Sequence, residues 1–247
     1  MKKYWMHIVV VLLSLSCKKE QLNDCFVSIG KEITETRNLS DFDKITATSR
    51  LEVNLRQDTS IAPYVKIITG ENLMEGIRTE VENGTLFLEN TNVCNFVRSY
   101  KHVIRLEVNV HDLSEINLES AVRIHCLDTL VLENMRLQHY ALEDVELWLD
   151  VSGETYVQSL NSGGTVLKGR SRVLKGSIEE VSNLDSRDLI CKEVLLDSHT
   201  PLDCYIHAEE LIYVRIYAKG NIFYAVEPSG RKETNIQIGT GQLLKLN

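Results

Sequence analysis

Between about residues 113 and 226 the chain repeats one short phrase. An apolar–polar–apolar strand runs into a Ser, Gly or Asp corner, and another strand follows. The copies include Ile116-Asn-Leu-Glu-Ser-Ala-Val-Arg-Ile124, Leu149-Asp-Val-Ser-Gly-Glu-Thr-Tyr-Val157, Val166-Leu-Lys-Gly-Arg-Ser-Arg-Val173, Leu184-Asp-Ser-Arg-Asp-Leu-Ile190 and Val214-Arg-Ile-Tyr-Ala-Lys-Gly-Asn-Ile222. Short strands returning at roughly 12–21 residue intervals are the signature of a stacked solenoid. A single coil cannot bury its apolar face, so neighbouring coils must stack to make a core. The fold class expected is therefore all-β, a single-stranded right-handed β-helix (β-solenoid) with short strands and little helix. No stretch sustains the 3.6-residue apolar stripe that a surface helix needs.

The N-terminal part of the domain agrees with this reading. Phe42-Asp-Lys-Ile, Leu51-Glu-Val-Asn-Leu, Tyr64-Val-Lys-Ile-Ile and Thr85-Leu-Phe-Leu alternate with period two. Asn83-Gly84 is a hairpin turn signal. Residues 72–81 read as one helical turn or a loop, and the stretch from Ile33 reads as an edge strand. Val157, Val173, Ile190 and Ile222 are expected to point inward. A solenoid is a scaffold, however, and its function depends on sites placed upon it.

The first residues have another purpose. Lys2 and Lys3 precede an apolar run, His7-Ile-Val-Val-Val-Leu-Leu-Ser-Leu-Ser, that is too short for a comfortable membrane span and closes at Ser16-Cys17. This resembles the loose lipobox of Bacteroidetes lipoproteins. The organisation expected is a signal peptide over 1–16, a lipidated tether and first strand over 17–40, and the β-helix domain over 41–247. Cys17 would carry acyl chains on its sulfur and its amine, and the partner so acquired is a membrane. The chain would be an outer-membrane lipoprotein of the cell envelope, on its surface or its periplasmic face.

Removing Lys2 and Lys3 from the 27 basic residues leaves 25 against 35 acidic ones, a formal charge of −10. That balance argues against nucleic acid as a partner of the whole surface. It suits solubility.

Six cysteines in an exported chain call for disulfide arithmetic. With Cys17 acylated, five remain. Cys25 and Cys94 lie in polar, turn-like segments and are expected to form a disulfide, since the compartment is oxidising. Sequence alone does not fix connectivity, so pairing with Cys126, Cys191 or Cys204 stays open. Those three sit within strand phrases and read as small buried hydrophobes.

No metal site is expected. Cys204 and His207 have a ligand-like interval, but residues three apart on a strand face opposite sides. His102, His111, His125, His139 and His199 form no ligand motif, and no hydrolase or P-loop motif is present. No catalytic residue or cofactor is expected. The enzymatic alternative is a carbohydrate-active β-helix, a lyase or hydrolase with acidic residues along one face. Asp185, Asp188, Asp197 and Asp203 are the nearest approach to it. Glycoside hydrolysis needs two carboxylates at a defined separation, whereas these four stand in turns, where Asp is a good turn former. Arg98, Lys101, His102 and Arg105 make the one basic cluster and read as a solvated face.

Several phrases resemble one family. Phe42-Asp-Lys-Ile, Val53-Asn-Leu-Arg-Gln, Gly70-Glu-Asn-Leu, Ile77-Arg-Thr-Glu-Val-Glu-Asn-Gly-Thr-Leu-Phe-Leu and Ile104-Arg-Leu-Glu-Val-Asn-Val are similar to the head GIN domain of auto-transporter adhesins. Cys94-Asn-Phe-Val-Arg-Ser-Tyr and the 218–228 phrase ending at Pro228 add to the likeness, as does the C-terminal strand at 240–246. Where the family has Ser-Gly-Ser-Gly corners, this chain has Ser120-Ala, Ser152-Gly-Glu, Asp185-Ser-Arg and Asp197-Ser-His. Bulky residues take φ > 0 less cheaply than Gly, so wider or less regular turns are expected there. The resemblance implies a non-enzymatic, lipid-anchored envelope protein presenting a surface to a protein or glycan ligand. A purely structural envelope protein is the third reading.

Overall fold

The computed structural model describes residues 28–92, 103–236 and 239–246. It is 64% strand and 3% helix, arranged as a β-solenoid of about 6 turns. The strands, in order, are β1 (Glu32–Asn38), β2 (Lys44–Ala47), β3 (Leu51–Gln57), β4 (Tyr64–Gly70), β5 (Ile77–Glu82), β6 (Thr85–Asn90), β7 (Arg105–Val110), β8 (Glu115–Ser120), β9 (Val122–Cys126) and β10 (Leu130–Leu132). They continue with β11 (Met135–Ala141), β12 (Val145–Ser159), β13 (Gly164–Ile178), β14 (Asn183–Ser198), β15 (Cys204–Ile206), β16 (Ala208–Ile216), β17 (Ile222–Tyr224), β18 (Lys232–Ile236) and β19 (Leu243–Lys245).

Two parallel ladders run the length of the solenoid. In ladder I, β6, β2, β8 and β11 are followed by the C-terminal halves of β12, β13 and β14, then by β16 and β18. In ladder II, β7, β3 and β9 are followed by the N-terminal halves of β12, β13 and β14, then by β15, β17 and β19. Each coil supplies a strand to both. Equivalent positions return every 18 to 21 residues, as in the paired series Ile116, Leu137, Val157, Gly176, Leu196 and Val214.

Alternation puts one apolar face of every strand inside. Val145, Leu147 and Leu149 are fully buried, as are Leu167, Leu184 and Leu189 on the next coils. Val157, Val173 and Ile222 point inward as expected. Ile190 does not. It is only half-buried, and its neighbours Leu189 and Cys191 take the inward positions. The physical reason is an irregular register: β14 has two residues, Ser186 and Arg187, opposite the single Leu167 of β13. One extra residue reverses which side chains face the core.

The bulky corners bear out their expected irregularity in part. The register also shifts between Val151 and Glu154, at the Ser152-Gly153 corner, and Ser120 has a φ of 63°. The Asp197-Ser-His corner keeps its register, with Asp197 opposite Arg215 and Ser198 opposite Ile216. Gly169, at φ 109°, is required by geometry: an added Cβ would lie 2.1 Å from the Leu149 carbonyl oxygen.

The N-terminal end is closed by antiparallel pairing. β4 runs antiparallel to β7, and β1 runs antiparallel to β4 as an exposed edge strand. The β5–β6 hairpin turns at Asn83 and Gly84, whose φ values of 50° and 77° suit the two-residue hairpin turn that Asn-Gly favours. Residues Glu71–Gly76 form a 3-10 helix whose Leu73 and Met74 are buried. These elements cover the first coils, which would otherwise present unpaired strand edges.

Candidate functional site

The outward positions of ladder I make a continuous row across successive coils. Arg136 lies opposite Tyr156, Tyr156 opposite Lys175, Lys175 opposite Leu195, and Leu195 opposite Tyr213. Strand alternation fixes this arrangement, because the residues between them point into the core. A second outward row carries Gln158, Ser177, Asp197 and Arg215.

These rows enclose a recess of about 240 Å³. Tyr156 and Tyr213 stand at its two ends, Gly176 and Leu196 lie at its base, and Lys175, Ser177, Asp197 and Arg215 line it. Gly176 takes a core-facing position, and an added Cβ there would sit 2.2 Å from the Val157 carbonyl oxygen, so only glycine fits at this point of the base. A wider, open recess of about 510 Å³ shares Tyr156 and continues over Lys44, Glu115, Arg136 and Glu154. The two form one track along the face.

Lys175 and Arg215 of this track are ion-paired. Lys175 Nζ lies 2.5 Å from Glu154 Oε2. Arg215 donates from Nε to Asp197 Oδ1 at 2.6 Å and from Nη2 to Asp197 Oδ2, and that hydrogen bonding holds the guanidinium pKa above its usual range. The Arg136 guanidinium lies 4.4 Å from the centre of the Tyr156 ring, a cation–π contact. Tyr140 Oη donates to Gln158 Oε1 at 3.0 Å.

The residues singled out from sequence fall elsewhere or have other work. Cys17, Cys25 and Cys94 lie outside the described residues, as do Arg98, Lys101 and His102. Arg105 pairs with Glu32 at 2.7 Å. Asp185 accepts from Arg187 Nε at 2.8 Å, Asp203 Oδ1 accepts from the Asn221 backbone N–H at 2.9 Å, and Asp188 is exposed. Of the four aspartates only Asp197 reaches the recess, where Arg215 engages both of its oxygens.

Cys191 and Cys204 are fully buried and Cys126 is partly so, all as free thiols. Burial raises the thiol pKa to about 11 at Cys126, about 12 at Cys191 and about 11 at Cys204. They are therefore unreactive at neutral pH and pack as small apolar groups. Cys204 is buried while the His207 ring hydrogen-bonds the Arg187 carbonyl at 3.0 Å. Among the described residues no group of three or more His, Cys, Asp and Glu is placed to hold a metal ion.

His139 is buried at the end of ladder I, where the chain turns its corner. Nε2 donates to the Glu143 carbonyl at 2.9 Å, which leaves Nδ1 to accept from the Thr165 hydroxyl at 2.8 Å. Burial lowers its pKa from 6.5, because the imidazolium loses its hydration. The unfolded chain thus takes up this proton at a higher pH than the folded one. His139 contributes stability that is present above the unfolded pKa and lost as pH falls below about 6.5 toward the folded value. Wild type should melt at a lower temperature near pH 5.5 than near pH 7.5. His139→Gln should show a smaller difference between those two buffers, read by circular dichroism. An unchanged difference would assign the effect to other groups.

The fold and the exposed track define a class: a β-solenoid that displays outward rows of side chains on a rigid aliphatic core. The chain belongs to the family described as putative auto-transporter adhesin, head GIN domain, which matches residues 41–228. Solved structures share the architecture. A putative adhesin from Bacteroides fragilis NCTC 9343 superposes with a TM-score of 0.81 at 22% identity, covering 87% of this chain and 97% of that one. A putative lipid binding protein from Parabacteroides distasonis ATCC 8503 gives 0.65 at 19% identity, covering 88% and 98%. A putative adhesin from the same organism gives 0.59 at 14% identity, covering 88% and 98%. These likenesses are of fold. No curated protein matches the chain.

Proposed function

We propose that this chain is a non-enzymatic, lipid-anchored protein of the cell envelope whose solenoid presents a recognition face. Family membership supports the adhesion role. The observation that carries it at the level of residues is the outward row of Arg136, Tyr156, Lys175, Leu195 and Tyr213, an aromatic and polar face, exposed at Arg136 and half-buried at the other four, that the core does not need. The engagement of Asp185 by Arg187 and of Asp197 by Arg215 favours this reading over a glycosidase, since that chemistry needs two carboxylates flanking one bond and only Asp197 lines the recess. The similar solved structures named as adhesins agree with it. A strain lacking the protein should adhere less to its target surface, and re-expression of the full chain should restore adherence. Equal adherence with and without the protein would contradict the reading.

The same proposal includes a Cys25–Cys94 disulfide that ties the segment before β1 to the chain between β6 and β7. Closing a loop of that length stabilises by about 4 kcal/mol in the chain-entropy account. Peptide mapping of non-reduced protein from the envelope should yield a Cys25–Cys94 linked pair. A free Cys25, or a Cys25 joined to Cys126, Cys191 or Cys204, would show another connectivity.

A further inference from the structure

The recess between Tyr156 and Tyr213 has features that select one ligand chemistry. Tyr156 and Tyr213 are separated by the Lys175 and Leu195 rungs, so they stand three strand spacings apart, ~14 Å along the solenoid axis. Outward side chains on a sheet stand roughly perpendicular to it, which lets the two tyrosines rise as walls over the Gly176 floor. The hydrogen-bonding groups between them come in matched pairs, Lys175 with Glu154 and Arg215 with Asp197. Each pair offers donors and acceptors together with little net charge.

An anion would find each of these two cations already engaged. A lipid tail or apolar peptide would find a single outward aliphatic side chain in the recess, the half-buried Leu195, flanked by Lys175 and Tyr213. A hydroxyl-rich, uncharged ligand finds aromatic ring faces for its C–H surfaces and paired donors and acceptors for its hydroxyls. We infer that the Tyr156–Tyr213 track binds a neutral oligosaccharide. One sugar ring seats in the recess, against Ser177, Asp197 and Arg215, and the chain continues across Tyr156 into the wider recess beside Arg136 and Glu154. This rests on the proposed recognition role of the face and adds the class of ligand.

The test uses the full chain, purified from membranes in detergent, on an array of defined neutral, sialylated and sulfated oligosaccharides. Wild type should bind members of the neutral set, and Tyr156→Ala or Tyr213→Ala should each weaken that binding by about tenfold, the size of a lost aromatic contact. Tyr156→Phe keeps the ring and should retain most of the binding. Ser177→Trp, which fills the recess without touching either tyrosine position, should abolish it. Thermal melts of each variant identify any that fail to fold, and the Ser177→Trp and Tyr156→Phe pair then decides the matter.

Binding confined to sialylated or sulfated glycans, no binding to any glycan, or binding unaffected by Ser177→Trp would overturn the inference. Adherence of intact cells separates the two claims. Array binding that survives Ser177→Trp, while cells lacking the protein adhere less, leaves the recognition role standing and removes the glycan track. Loss of array binding together with loss of adherence supports both.

Discussion

Leu167→Ala is expected to lower the stability of the domain by about 2–5 kcal/mol. Leu167 is fully buried near the middle of the solenoid, opposite Leu147 on the preceding coil, which is also fully buried. Truncation removes the transfer free energy of the lost carbons and leaves a void. Stacked coils fixed by parallel ladders on both sides cannot collapse to fill it. The loss should be felt beyond one coil, because each coil is stable only through its neighbours. Asp188 lies on the same strand as Leu189 but is exposed, and Asp188→Ala should change stability by no more than about 0.5 kcal/mol. Urea unfolding followed by circular dichroism compares the two. Equal losses would contradict the inward and outward assignment on which the site itself depends.

Cys17→Ser is expected to move the protein from the membrane pellet to the soluble fraction. On the proposed reading, acylation at both the sulfur and the amine of Cys17 would supply several chains, and one chain alone holds a protein only marginally while two or more hold it stably. Each buried methylene contributes about 0.8 kcal/mol, so removing all of the chains removes the attachment outright. Among the described residues no helix is long and apolar enough to cross a membrane. A mutant that sediments with membranes in high salt and is processed normally would show that the attachment lies elsewhere.

The fold was largely legible because its determinants are local and repeated. Period-two alternation in residues 51–57 and 64–68 appears as β3 and β4, and Asn83-Gly84 turns the β5–β6 hairpin. The stretch at Ile33 is an edge strand, since alternation without a second apolar face leaves it only one partner. Ile190 was misread because the extra residue in β14 lies upstream of it, and nothing in the sequence of that strand marks the bulge.

The recess was not legible for a different reason. Tyr156, Lys175, Leu195 and Tyr213 are neighbours only through the ladder register. The repeated signal in the sequence lies at the corners, where Ser, Gly and Asp recur, whereas the outward strand positions vary in residue type from coil to coil. The coil period contained the signal: stepping by 18 to 21 residues from Tyr156 reaches each member in turn. His139 shows the converse. A histidine draws attention as a ligand, yet here it bridges a corner by bonding to Thr165 and Glu143.

The adhesion role proposed above requires the solenoid to face outward from the cell with its recognition face accessible. Protease shaving of intact cells tests it most directly. Cells expressing the full chain are treated with a protease that cannot cross the outer membrane, and the domain is followed with an antibody alongside a periplasmic marker. The account predicts that the domain is removed while the marker survives. A domain that stays intact on whole cells, and is cut only after the outer membrane is opened, would place it on the periplasmic side and contradict the claim.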